Sequence, residues 1–106
     1  MKENFYHGIL IGILGIREDW VISSNRESGE GYSDIMVETE DSELAVIIEI
    51  KYAEDGDLDA ACRKALRQIA DRHYGEDLEE EYRKILKYGI ACYKKRCRVM
   101  LEGQNS

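Results

Sequence analysis

The sequence predicts a mixed α/β domain: a central mixed sheet of four to five strands flanked by two main helices, in the order α-β-β-β-α-β(-β). Three observations carry this expectation. Short runs rich in Ile, Val and Tyr, bounded by Gly, Ser, Asn and acidic clusters, recur at 20–24, 32–39, 44–52, 86–93 and 96–101, the composition of pleated strands. Two longer stretches, 3–15 and 57–73, instead space their apolar residues three and four apart, which is the helical period. The 106 residues contain no Pro, no repeat and no low-complexity segment, so nothing marks a linker and residues 1–106 read as one small domain with a modest core.

Residues 3–15 form the expected first helix. Phe5, Ile9, Gly12 and Ile13 recur at helical spacing, and Tyr6, Leu10 and Leu14 widen the stripe, so this helix should lie against a sheet. Its three glycines weaken it and leave room for close packing. Trp20–Ser24 is the first strand, and 25–31, with its Gly, Ser, Asn and charges, reads as a loop. Gly29 and Gly31 could form a phosphate cradle, but no helix follows them, so shaping the mouth of a site is the better reading. After Tyr52, Asp57 caps the second helix and Asp59 suits its first turn. Leu58, Cys62, Ala65 and Ile69 make its buried stripe, broadened by Ala61 and Leu66. Residues 77–84 are highly charged and read as a short surface helix; two strands then turn about Lys94–Lys95, and 102–106 is a tail.

The chemistry gathers on the hairpin 32–52. Glu40-Asp41-Ser42-Glu43 offers hydrogen bonds to its own backbone and nothing to bury, so it is a turn. If Glu40 faces Glu43 across it, Asp34 falls opposite Glu49, with Cβ atoms about 4.5–5.5 Å apart on one face. Lys51, two residues on, joins that face. A slip of one residue in the turn would destroy the pairing. Two adjacent carboxylates repel unless a cation lies between them or one is protonated. A hard cation such as Mg2+ takes oxygen ligands and keeps waters for a substrate. With Lys51 to hold a phosphate oxygen or orient the attacking water, this is the chemistry of metal-dependent phosphodiester cleavage. The bland alternative is a solvated acid pair, because Glu-x-Lys is cheap in a chain with 35% charged residues. Against it stands the apolar run 44–48, which reads as a central strand and is closed by these charges.

Asp34 followed by Glu49-Ile50-Lys51 on the next strand resembles the PD-(D/E)xK nuclease signature. The wider pattern strengthens the likeness: Glu3, Tyr6-His7-Gly8, Ser24-Asn25-Arg26-Glu27-Ser28-Gly29, Gly31, Ser33-Asp34-Ile35, Ala65-Leu66, Gln68-Ile69 and Tyr88-Gly89-Ile90-Ala91. Together they resemble the nuclease-like domain found at the C-terminus of AAA-ATPase-like proteins, over roughly residues 3–101. Tyr32 departs from that pattern, which tends to carry Arg beside the Ser-Asp. The resemblance implies a restriction-endonuclease-like core and a Mg2+ or Mn2+ cofactor on Asp34 and Glu49, with the Ile50 carbonyl as a third ligand. It gives Gln68 a role near the scissile phosphate and brings Glu3 towards the metal. The plain alternatives are a helix-surface amide for Gln68, a frayed terminal acid for Glu3 and a capping or partly buried ring for His7.

Charge pulls the other way. A net charge of -7 and a pI near 4.8 are unusual for a free-standing nucleic-acid binder. Arg63, Lys64, Arg67 and Arg72 grouped with Lys51 on one side would answer part of that objection, and an ATPase-like partner another part. Three functions therefore compete: a metal-dependent nuclease, with DNA the favoured substrate; a non-catalytic nuclease-fold module serving an ATPase-like partner; and an acidic interaction module or homodimer. Three cysteines, Cys62, Cys92 and Cys97, have no metal-type spacing and no even count, which points to a reducing, cytoplasmic setting. The apolar residues 9–16 are too few for a membrane span or a secretory signal.

Overall fold

The computed structural model describes residues 2–15, 17–27, 31–71 and 80–103, with the side chains of 2–5, 7, 25–27 and 31–33 outside that description. Its elements are α1 (Lys2–Leu14), β1 (Trp20–Glu27), β2 (Gly31–Thr39), β3 (Leu44–Tyr52), α2 (Leu58–Asp71), β4 (Lys84–Tyr93) and β5 (Arg96–Leu101). The five strands form one sheet in chain order, β1-β2-β3-β4-β5. All neighbours are antiparallel except β3 and β4, which α2 connects in parallel. This is the expected mixed sheet with two main helices.

Side-chain alternation divides the sheet into two faces, and each takes one helix. On the first, Tyr6, Leu10, Ile11 and Leu14 of α1 pack against Ile35, Val37, Ile48, Ile50 and Cys92. The Tyr6 hydroxyl donates to the Lys94 carbonyl at 3.0 Å, and its ring stacks on Tyr52 at 6.4 Å, which ties α1 to the β4–β5 end of the sheet. On the second face, Cys62, Leu66 and Ile69 of α2 pack among Ala45, Ile47, Ala91 and Met100, with Ala65 also buried. The buried stripe of α2 is the one its spacing predicts. The cap is as expected too: the Ala60 amide donates to Asp57 Oδ1 at 3.1 Å.

The turn between β2 and β3 is built from its own side chains. The Glu43 amide donates to Asp41 Oδ1 at 3.1 Å, and the Leu44 amide donates to Thr39 Oγ1 at 3.1 Å. Ser42 takes the left-handed conformation at φ 60°. These bonds hold the turn to four residues and so set the register of everything beyond it.

Four differences from the sequence reading have physical causes. In α1, Ile9 and Ile13 point outward, 48% and 60% exposed, while Tyr6, Leu10 and Leu14 are the buried side. The helix is apolar nearly all round, so its sequence does not select a face. Nothing lies within 4 Å of a Cβ built on Gly8 or Gly12, so these glycines serve no close approach among the described residues. The span 25–31 is not a long loop: β1 continues to Glu27, β2 begins at Gly31, and a register shift falls between Asn25 and Arg26. Backbone pairing carries an edge hairpin whatever its side chains, and a bulge absorbs the mismatch. Finally β4 begins at Lys84 rather than at Leu86, because the parallel ladder starts opposite Leu44 and the Lys84 amide donates to the Glu43 carbonyl at 3.1 Å. Of the expected helix 77–84, residues 80–81 are helical and 77–79 lie outside the described residues.

The β4–β5 hairpin turns at Lys94–Lys95 as expected, with Cys92 opposite Cys97. Their sulfurs are 3.2 Å apart and both thiols are free. Burial, reinforced by the contact with Cys97, pushes the Cys92 thiol up to about 12. No helix among the described residues is long and apolar enough to cross a membrane.

Candidate metal centre

Asp34 lies directly opposite Glu49 in the β2–β3 ladder. Both are 1% exposed, the only charged side chains among the buried described residues. They face the α2 side of the sheet, in line with Met36 and Ile47. Burying one carboxylate costs several kcal/mol unless it is compensated, so two together are a demanding arrangement for a domain of this size.

Lys51 lies one pleat beyond Glu49 on the same face. Its Nζ stands 3.6 Å from Glu49 Oε1, and its side chain is 18% exposed. The ammonium therefore keeps one side on the Glu49 carboxylate and the other near solvent. Ile50, between them, buries its side chain on the opposite, α1 face.

The next strand explains how α2 comes to lie so near. Gly89 on β4 is the neighbour of Glu49 in the parallel register. A Cβ there would meet the Cys62 carbonyl oxygen at 2.6 Å and carbon atoms of Ala65 and Leu66 at 3.2 Å. Only glycine lets the helix backbone rest on β4 at this level. α2 thus settles beside the carboxylates rather than above a full side-chain layer.

The helix then turns a polar flank towards β3. With a repeat of about 100° per residue, Gln68 and Lys64 fall on the side away from Asp59. Asp59 is paired with Arg98 of β5 at 2.5 Å, so the Gln68 side is the β3 side. Gln68 is half-buried, and its Oε1 is enclosed with no hydrogen-bond partner among the described residues. A buried acceptor in that condition needs a water, an ion or a substrate donor. Lys64, one turn earlier on the same flank, is exposed.

Glu3 lies in α1, whose packed side meets the other face of the sheet; its side chain and that of His7 fall outside the described residues. Arg72, expected to join the cationic group, also lies outside them, as do residues 28–30 of the Gly-rich segment. Among the described residues no three His, Cys, Asp or Glu side chains cluster as metal ligands. Asp34 and Glu49 themselves offer the oxygen ligands that a hard divalent cation takes.

Two contributors carried too little sequence signal to be assigned a part. Gly89 stands in the resemblance pattern, but its seat for α2 shows only once α2 is placed; a lone Gly inside an apolar strand was the available hint. The other is Tyr82, 8% exposed, whose hydroxyl donates to Glu38 Oε2. Glu38 lies two pleats from Asp34 on the same face, and this bond fastens the segment entering β4 over that end of the sheet. The carboxylate partner and the burial raise the Tyr82 phenol to about 12.

Comparison with protein-family models matches residues 1–102 to the family described as the PD-(D/E)XK nuclease superfamily. No curated protein and no solved structure gives a significant match.

Proposed function

We propose that this chain, which belongs to the PD-(D/E)XK nuclease superfamily and has the mixed α/β architecture of a restriction-endonuclease-like fold, is a metal-dependent nuclease acting on nucleic acid, with DNA the favoured substrate. The observation that supports this most is the pair itself: Asp34 and Glu49 opposite each other in neighbouring strands, each 1% exposed, with the Lys51 ammonium 3.6 Å from one of them. That donor set fits a hard divalent ion. Asp34, Glu49 and the Ile50 carbonyl would hold Mg2+ or Mn2+, which when bound polarises a phosphoryl oxygen and lowers the pKa of a coordinated water.

The chain's own residues then divide the remaining work. Glu49 fixes Lys51, so the ammonium is already in place where negative charge grows on the phosphate, and no reorganisation is needed during the reaction. Lys51 also donates to the attacking water and orients it. The enclosed Oε1 of Gln68 accepts a proton-bearing water or substrate group from the α2 side. Glu3 is proposed as a further positioning carboxylate on the strength of the resemblance alone, and the same likeness supports an ATPase-like module as partner. The low pI supports such a partner as well, since it would supply cations that this domain lacks.

The test is incubation with single-stranded, double-stranded and branched DNA and with RNA, in Mg2+ or Mn2+, beside Lys51→Ala, while calorimetry follows metal binding to wild type and Asp34→Asn. Cleavage by wild type alone, with metal binding lost in Asp34→Asn, is the expected result. Neither cleavage nor metal binding under any condition would overturn the reading in favour of a non-catalytic module.

A further inference from the structure

A second feature lies where β3 passes into the loop before α2. Where β3 ends, a cleft of about 380 Å³ opens between the β3–α2 loop and α2, with Tyr52, Ala53, Ala61, Lys64 and Arg67 among its lining residues. Its two walls carry opposite charge. The helix wall bears Lys64 and Arg67, both exposed and neighbours three residues apart. The loop wall bears Glu54, Asp55 and Asp57.

The acidic wall is rigid. The Asp57 amide donates to Asp55 Oδ1 at 3.0 Å, Asp57 caps α2, and the Gly56 amide donates to the Ala53 carbonyl at 2.9 Å. Gly56 holds the left-handed conformation, φ 79°, under the Tyr93 ring. Asp55 and Asp57 are therefore held in place at this wall, with Glu54 exposed beside them.

Position relates the cleft to the metal centre. Tyr52 directly follows Lys51, and Lys64 stands one turn before Gln68 on the same flank of α2. Four residues of helix advance about 6 Å, comparable to the separation of neighbouring phosphates along one strand. A phosphate held by Lys64 and Arg67 would thus belong to the nucleotide next to the one that meets Gln68.

We infer that this cleft is a phosphate subsite for one strand only: Lys64 and Arg67 grip the backbone beside the scissile phosphate, and the held acids Asp55 and Asp57, with Glu54 next to them, repel a complementary strand. The substrate is then single-stranded nucleic acid, or the unpaired end of a duplex. This rests on the nuclease reading of the Asp34–Glu49 centre and adds its substrate class. A cleft of this volume holds a single nucleotide and not a duplex segment, and its two cations stand together on the α2 wall, where one backbone can meet them.

The test measures binding of a fluorescent oligothymidylate and of its duplex with oligoadenylate by anisotropy, in Ca2+ across a salt series, with Mg2+ cleavage assayed in parallel. Wild type should bind the single strand at least about tenfold tighter than the duplex. Lys64→Ala/Arg67→Ala should lose about tenfold on the single strand, and the slope of log affinity against log salt should become shallower by about 1.4, as expected for two lost phosphate contacts. Glu54→Gln, at an exposed position, should raise duplex affinity. Equal or tighter duplex binding, or an unchanged double variant, overturns the inference while Mg2+-dependent cleavage leaves the nuclease reading standing. Absence of both nucleic-acid binding and cleavage overturns the two together.

Discussion

Replacing Gly89 by Ala adds one methyl group where α2 rests on the sheet. That carbon would come within 2.6 Å of the Cys62 carbonyl oxygen, a backbone atom that cannot rotate away, and within 3.2 Å of carbons on Ala65 and Leu66. Restoring ordinary contact requires α2 to rise by about half an ångström or more, against a core where Cys62 and Ala65 are fully buried. Overpacking of this kind costs about 1–3 kcal/mol. Losing glycine's freedom in the unfolded chain returns about 0.4–1 kcal/mol. The net expectation is a destabilisation of about 1–2 kcal/mol, which for a domain of this size lowers Tm by roughly 5–15 °C. The lift would also carry Gln68 and Lys64 away from Glu49, so metal-dependent activity should fall further than stability explains at a temperature where the variant is folded. Thermal and urea denaturation followed by circular dichroism, with cleavage measured well below Tm, provide the check. A Gly89→Ala protein as stable as wild type would refute the tight seating of α2 and its part in building the site.

Glu49→Gln and Asp34→Asn should each abolish the rise in Tm that Mg2+ gives wild type, a rise worth about 2.7 kcal/mol at a metal concentration 100 times Kd, measured by differential scanning fluorimetry. Tyr82→Phe should cost about 1–3 kcal/mol by leaving Glu38 without its phenol donor. The Tyr82 phenol is held at about 12 in the folded protein, above its unfolded value of about 10. Its contribution is therefore intact below about pH 10 and lost as pH climbs towards 12; stability in that alkaline window should fall in wild type more steeply than in Tyr82→Phe. Asp57→Ala removes the acceptor for the Ala60 amide and should cost about 0.5–2 kcal/mol in urea denaturation, with Asp57→Asn or Asp57→Ser recovering most of it.

The pairing of Asp34 with Glu49 was legible because it is a consequence of local chemistry. A polar four-residue turn fixes where two strands meet, and the two-residue alternation then decides which side chains share a face. The placement of Lys51 follows from the same alternation, and the buried stripe and cap of α2 follow from a sharply amphipathic pattern with one clear acceptor before it. Reading failed where the sequence carries no asymmetry. α1 is apolar around most of its circumference, so its pattern cannot say that Tyr6, Leu10 and Leu14 face inward while Ile9 and Ile13 are left about half exposed. The polar residues of 25–27 look like a loop because side-chain composition does not report backbone pairing at a sheet edge.

Local chemistry dictates a hairpin that sets two acids and an amine on one surface, together with the order of strands and helices around it. Which helix covers that surface, and how near it comes, is set by long-range packing. That depends on a glycine in β4 meeting a carbonyl in α2, two positions with no local link whose contact exists only after the parallel crossover has closed.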